Sequence, residues 1–419
     1  RAGQPDQAVP CYLRAGLAAN RIYVSDEAET FFQRGLELLR RGRWPPTQGA
    51  SRRDMSVRLY EGLGDTLKVT RAEEAWTAYQ DAFQATREED LLARARLQRK
   101  IGFNWVGQGQ FEQAVEACDL AESLLGANPF QPTVEWWQEW AEIQSLRLTA
   151  YYFTGRWRDM ARSLDKLRPV VERYETARFR GFYLGNRTTM AIRRDRYLIS
   201  DETLADARAW LAAMQEVGDR FWIEWAQYVF GWLLLLRGDL EEAEENLLVA
   251  LALVEQTRNL WVETYLLTWL AVLCRKRGQV EEARGYAARG LELAPVVQQY
   301  EQVALAQANL AWVAWREGDL GETKALGQAA LESWQRSQFV HAFHWTARWP
   351  LLAVALEGDR IPESLEHARA MLDPMQQELP QSLEVGLEAA IQADEQDQED
   401  LVRLELRRAV EVAQELGFL

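Results

Sequence analysis

Three histidines, three cysteines and a series of paired carboxylates are the residues from which catalysis or metal binding would have to be built in this chain. His341 and His344 stand three apart, about one helical turn, and His367 is the third. Two histidines at that spacing can share a metal. No His-Glu-x-x-His pattern or cysteine cluster accompanies them, so partly exposed, aromatic-packed rings are expected. Cys118 and Cys274 fall on apolar faces of expected helices, with no base placed to form a thiolate. The pairs Glu241/Glu242 and Glu281/Glu282 recur at helix starts, where the helix dipole accounts for them without acid–base chemistry. The run Gly62-Leu-Gly-Asp-Thr-Leu-Lys68 has the outline of a phosphate loop. It lacks the closing Gly-Lys-Ser/Thr that would place an amine and a magnesium ligand, and no strand precedes it. The expectation is no catalytic residue, no metal and no cofactor.

Two other features could serve binding. The chain holds 18 Trp among 419 residues, and large rings either fill gaps between helices or anchor a partner, since Trp, Tyr and Arg dominate binding energy. In Glu135-Trp136-Trp137-Gln138-Glu139-Trp140 two Trp are adjacent and a third lies one turn on; with Pro129 and Pro132 just before, the run opens a helix. It reads as an aromatic lock between irregular repeats or as a binding patch. Arg178, Arg180, Arg187, Arg193, Arg194 and Arg196 read as a solvated basic face or as a docking patch for acidic or phosphate-bearing groups.

The net charge is −15, a field that repels phosphates and makes nucleic acid a poor direct partner. Cys11, Cys118 and Cys274 are odd in number and far apart, which fits a reducing, cytoplasmic setting rather than a disulfide framework. Asn186-Arg187-Thr188 matches a glycosylation sequon at the level of chance. The strongest apolar stretch, Tyr228–Leu236, is too short to span a bilayer, and no secretion signal is apparent. The sequence begins at Arg1 rather than Met, so further N-terminal domains of a parent protein are expected.

The elements that must position these residues are repeats. Gly238, Gly278, Gly318 and Gly358 follow one another at intervals of 40 residues. Each sits in a similar setting, such as Leu236-Arg-Gly-Asp-Leu-Glu-Glu-Ala243 and Lys276-Arg-Gly-Gln-Val-Glu-Glu-Ala283. One more step lands on Gln398, and one step back lands just before Ser200-Asp-Glu-Thr-Leu204. The pattern predicts helix, tight turn, helix. Glycine supplies a positive φ at the first helix's end; Asp239, Asp319 and Asp359 cap the second. Ala243 and Ala283, then Ala250, Gly290 and Ala330, keep one helical face small where helices cross. Upstream the same grammar recurs at Gly102/Trp105/Gly109/Ala114/Ala121, at Tyr151–Met160, at Gly62–Asp65 with Ala72, Ala75, Tyr79 and Ala82, and at Asp26–Leu38. The least regular stretches are 41–54, with Trp44-Pro45-Pro46, and 174–200.

The spacing at Gly102/Trp105/Gly109/Ala114/Ala121 and at Gly278/Ala283/Gly290/Pro295 resembles tetratricopeptide (TPR) repeats, with a stride longer than the usual 34 residues. Such lengthened repeats are similar to those of the C-terminal sensor region of bacterial STAND-type signalling ATPases and MalT-like regulators. The opening Tyr12-Leu-Arg-Ala-Gly16, Tyr23, Glu27-Ala28 and Phe32 resembles the junction after their ATPase part. The fold expected is therefore all-α: a right-handed superhelical solenoid of about ten antiparallel helix pairs. Residues 1–200 form irregular TPR-like repeats and 201–419 regular ones, in one continuous solenoid. The resemblance implies a non-catalytic, ligand-sensing interaction module of a larger bacterial signal-transduction protein. It would bind a protein segment, peptide or small effector in a concave groove, and would contact the parent's N-terminal domains, with no nucleic acid or membrane partner. A static scaffold or oligomerisation adaptor is the alternative.

With the glycines as a ruler, the first helices present Trp225, Tyr228, Trp232, Leu235, Tyr265, Thr268, Val272, Arg275, Leu305, Ala308, Trp312, Trp315, Trp345, Arg348 and Leu352 to that groove, bordered by Asn309 and Arg316. The groove set is Trp225, Tyr228, Trp232, Tyr265, Arg275, Asn309, Trp312, Trp315, Arg316, Trp345 and Arg348. At least half of Trp225, Tyr228, Trp232, Trp312, Trp315 and Trp345 are expected to keep visible surface.

Overall fold

The computed structural model of the chain describes residues 5–21, 24–41, 51–126, 132–174, 176–336 and 339–419. Tyr23, Trp44-Pro45-Pro46 and Pro129 lie outside the described residues. Among the described residues the secondary structure is helical throughout, in ten consecutive pairs. In chain order they are α1 (Pro5–Arg21) with α2 (Ser25–Arg41), α3 (Arg52–Leu67) with α4 (Ala72–Ala85), α5 (Leu91–Gly107) with α6 (Phe111–Leu125), and α7 (Val134–Phe153) with α8 (Trp157–Tyr174). Next come α9 (Ala177–Arg194) with α10 (Asp201–Val217), α11 (Arg220–Arg237) with α12 (Leu240–Thr257), and α13 (Leu260–Lys276) with α14 (Val280–Leu293). The last are α15 (Tyr300–Glu317) with α16 (Leu320–Arg336), α17 (Trp345–Glu357) with α18 (Ile361–Met371), and α19 (Gln381–Glu395) with α20 (Glu399–Glu415). The all-α repeat reading holds, including α9, which turns the stretch after Tyr174 into an ordinary helix.

The turns follow the glycine argument in three of the four regular repeats. Gly238, Gly278 and Gly318 have φ of +96°, +70° and +84°, the left-handed region where a Cβ would clash. At the fourth, Gly358 keeps a φ of −84° and the left-handed residue is Asp359, at +53°. Asp397 does the same at +55° where the glycine is lost, consistent with the tolerance of Asp for this region. Asp319 accepts the Glu322 amide at 2.9 Å as a cap. Asp359 does not cap; it accepts from Arg403 instead, at 3.0 Å.

Small residues mark close approaches. Ala243, Ala250, Ala283 and Ala330 are fully buried. A Cβ on Gly290 would meet Thr268 at 3.3 Å. Gly62 and Gly64 are not the expected turn but lie inside α3, so the phosphate-loop outline is helix. They leave room for rings: a Cβ there would lie 2.5 Å from Phe32 and 2.5 Å from Tyr79, respectively. Gly285, by contrast, is exposed within α14 with nothing within 4 Å of a built Cβ. Gly285→Ala is therefore expected to stabilise the protein by about 0.5–1 kcal/mol, by removing backbone entropy from the unfolded chain, as read by urea unfolding.

The chain forms two compact units. The first comprises residues 1–152, 159–186 and 257–259; the second comprises residues 153–158, 187–256 and 260–419. In the first unit Phe32, Leu36, Leu59 and Val9 form one apolar cluster, and Tyr79, Leu97 and Ile101 belong to another. The repeats at the 40-residue stride lie in the second unit. Asn186 of the sequon donates to Ser145 Oγ at 2.9 Å, and Thr188 is fully buried, so the motif is a packed helix face.

Candidate functional site

The first helices of the second unit carry the sequence-derived groove set, and most of it is enclosed. Tyr228, Trp232, Tyr265, Arg275, Asn309, Trp312 and Trp345 are buried; Trp225, Trp315 and Arg348 are half-buried, and Arg316 is exposed. Of the six aromatic residues expected to keep surface, Trp225 and Trp315 do so, which falls short of half. The reason is mutual filling. Trp232 packs on Trp269 (5.4 Å between centroids), on Phe343 (5.9 Å) and on Tyr197 (6.0 Å). Trp345 donates from Nε1 to Gln377 at 2.8 Å. Trp225 lies against Trp261 at 5.0 Å and Tyr265 at 5.3 Å. Trp269, Phe343 and Tyr197 are thus part of the same cluster, and sequence spacing alone did not select them.

At the centre is Arg275, 1% exposed. Its guanidinium donates to Asn309 Oδ1 (3.1 Å), the Thr346 carbonyl (3.0 Å) and the Phe418 carbonyl (3.1 Å). It lies 5.5 Å from the Trp312 ring and 5.4 Å from the Trp345 ring. Among the described residues no carboxylate pairs with it. Burial alone pushes this arginine down to about 9. Burial, then the neighbouring Arg275 charge, takes Lys276 down to about 8, with its ammonium 4.0 Å from the Phe418 ring. Residues 417–419 therefore lie against the face made by α13, α15 and α17. A Cβ on Gly417 would come within 2.6 Å of Lys276 Cα.

His341 and His344 are packed against an aromatic ring. Among the described residues, no group of three or more His, Cys, Asp or Glu side chains could hold an ion. His341 stacks on Trp334 at 4.2 Å and is buried rather than partly exposed; His344 stacks on the same ring at 5.0 Å. Burial pushes the Cys118 thiol up to about 12 and Cys274 up to about 11, away from nucleophilic use. Four of the six arginines of the run are engaged within the protein, while Arg180 and Arg194 are exposed. Arg178 donates to Glu142 (3.0 Å), Arg193 to the Val340 carbonyl (2.6 Å), Arg196 to the Gln376 carbonyl (3.2 Å), and Arg187 to Asp206.

The first unit carries two constellations. One is an ion-pair ladder across odd-numbered helices. Glu61 and Asp65 on α3 accept from Lys100 at 2.8 and 2.7 Å; Arg99 pairs with Glu139 (2.5 Å) and Glu142 (2.8 Å) on α7. Burial would raise the Asp65 carboxyl, but Lys100 and Lys68 outweigh it and leave it below its ordinary value. Charges at i, i+3 and i+4 along α5 and α7 carried this signal in the sequence. The other is an open pocket of about 440 Å³ between α6 and α7, lined by Asp119, Glu122, Ser123, Gly126, Trp136, Trp137 and Trp140. The Trp136–Trp140 run thus packs its rings against one another and also walls a pocket.

No family model and no curated protein matches the sequence. Solved structures do match in fold. The chain is similar to a Rap protein solved in complex with competence and sporulation factor, at TM-score 0.58 and 15% identity, over 88% of this chain and 97% of that one. It also matches a STAND protein with a tetratricopeptide repeat sensor from Pyrococcus horikoshii at TM-score 0.49 and 17% identity. That alignment covers 90% of this chain and 55% of that one, so the chain spans about half of that protein's length. The likeness to the Rap protein and the ten helix pairs define the class: a TPR-like helical-repeat solenoid.

Proposed function

We propose that this chain is a non-catalytic, protein-binding repeat module, acting as the ligand-sensing arm of a larger bacterial signalling protein of the STAND kind in the cytoplasm. The observation that carries this reading is that the face of α13, α15 and α17 already holds a chain segment. Arg275 reads the main-chain carbonyl of Phe418 while Trp345 and Lys276 cover its ring. A main-chain carbonyl is common to every peptide, so the same contacts suit a partner segment in place of residues 417–419. Trp225, Trp315, Arg316 and Arg348, which keep surface, are the groove-set residues available to touch it. The Rap protein of similar fold was itself solved with a bound factor, which supports a peptide or protein as the ligand. Binding that differs between two states of the parent would shift its resting and active populations.

The test removes residues 417–419 and adds a synthetic peptide of residues 413–419. A ligand held only by the folded form, at a hundred times its Kd, adds about 2.7 kcal/mol of stability. The truncated chain should show that gain and the intact chain should show little. If neither this peptide nor a panel of candidate segments raises the melting temperature, the segment-binding reading is lost and the static adaptor takes its place.

A further inference from the structure

The pocket between α6 and α7 has walls of a particular chemistry. Trp136 and Trp137 stand at 83° with centroids 4.7 Å apart, and Trp137 and Trp140 at 82° and 5.6 Å. Rings set nearly at right angles present faces along different directions around one space. Their N–H groups are not offered to a ligand. Trp136 donates to the Leu125 carbonyl at 3.2 Å and Trp140 to Glu122 Oε1 at 3.2 Å, while the Trp137 Nε1 is enclosed without a partner. What remains for a ligand is π surface, whose negative quadrupole attracts cations.

The opposite wall is acidic. Asp119 and Glu122 share one guanidinium, Arg147, at 2.9 and 2.7 Å, which leaves one negative charge uncompensated within the trio. Glu122 Oε1 also accepts from Gln144 Nε2 at 3.2 Å, so its oxygens are already hydrogen-bonded. A primary ammonium entering here would give up water around three N–H donors and find few acceptors. An anion would meet the net negative charge. A cation without N–H groups meets neither cost.

We infer that the pocket of Trp136, Trp137, Trp140, Asp119 and Glu122 is a binding site for a quaternary ammonium group. The group could belong to a free small molecule or to a trimethylated lysine of a peptide; the shared chemistry is a trimethylammonium head against aromatic faces and a carboxylate. At about 440 Å³ the pocket lies within the range of small-molecule sites. This site is independent of the segment-binding face of the second unit.

The experiment titrates the full chain with choline, with tetramethylammonium and with 3,3-dimethylbutan-1-ol, the neutral isostere of choline, followed by calorimetry and tryptophan fluorescence. Choline should bind about tenfold more tightly than the isostere, the margin expected of a partly desolvated cation–π contact. Asp119→Asn, at an exposed position, should weaken choline several-fold and leave the isostere unchanged. Trp136→Phe, checked for folding by its melting curve, should weaken choline more than Asp119→Asn does. A short peptide carrying trimethyl-lysine, compared with one carrying lysine, separates the two sources. Tighter binding of the methylated peptide than of choline assigns the site to a protein partner, and the reverse assigns it to a small molecule. Equal affinity for choline and its isostere, lysine binding as well as trimethyl-lysine, or no saturable binding in any arm would overturn the proposal.

Discussion

Acidification from pH 7 to pH 5 should remove several kcal/mol of stability, above the range in which most carboxylates protonate. The source is the three histidines of the second unit. Burial, then Arg348, takes His344 down to about 4, and burial, then Arg348, takes His367 down to about 4 as well. Burial, followed by His344 and Arg193, puts His341 well below 6.5. The opposing acids, Asp373 near His344 and Glu363 near His367, do not outweigh this, and Lys324 adds to it at His367. Geometry agrees: Nδ1 of His341 accepts the Phe343 amide at 3.3 Å, and Nδ1 of His367 lies 3.1 Å from the Arg348 guanidinium, a contact that needs a neutral acceptor.

The sign follows from the depressed folded values. The unfolded chain takes up protons near pH 6.5, whereas folded His344 and His367 do not until about pH 4. Stability is thus fully present above 6.5 and lost as pH falls through that window, by about 2 kcal/mol for each of His344 and His367 at pH 5, with His341 acting in the same direction. Glu61 and Asp65, held below their ordinary 4.5 and 3.8, give up their share only at lower pH. Urea unfolding at pH 7, 6 and 5 measures the slope, and His344→Gln or His367→Gln should each flatten it by one histidine's worth. A wild-type curve level from pH 7 to 5 would show that these rings titrate normally.

Gly64→Ala is expected to cost about 1–2 kcal/mol net although it adds a good helix former to α3. Helix propensity alone would favour alanine by about 1 kcal/mol. Against that, the new methyl would sit 2.5 Å from Tyr79 Cε1. The ring cannot withdraw: Tyr79 is 1% exposed, and its hydroxyl donates to Asp65 at 2.9 Å, an oxygen pair that also holds Lys100. The clash must therefore move a packed ring or open the ion-pair ladder, and overpacking of this kind exceeds the propensity gain. Chemical denaturation of Gly64→Ala reads the loss. The double variant Gly64→Ala/Tyr79→Leu should recover part of it, whereas a loss unchanged by Tyr79→Leu would place the strain elsewhere.

Both predictions show where sequence reasoning reached and where it stopped. The glycines at intervals of 40 residues, and the small residues that follow them, gave helix pairs and turns because positive φ and close crossing are local demands that residue type meets directly. Gly62 and Gly64 have the same composition signal and another meaning: they lie inside a helix, opposite Phe32 and Tyr79, rings from flanking helices that no local spacing reveals. The stripe Trp225, Tyr228, Trp232, Trp312, Trp315 and Trp345 lies on the first helices α11, α15 and α17. Its exposure depended on Trp269, Phe343, Tyr197 and the tail at Phe418, residues up to 143 positions away from the groups they meet.

The amino-acid order by itself determined the all-α repeat, its stride, its turns and the acid-rich starts of its second helices, since each depends on neighbours within one or two turns. Tertiary structure alone decided which rings became core, that Arg275 would be buried with no acid paired to it among the described residues, and that Trp136, Trp137 and Trp140 would line one pocket with Asp119 and Glu122. Enclosure is a property of everything packed around a side chain, and a one-dimensional pattern carries only the part of that surrounding contributed by the side chain's own helix.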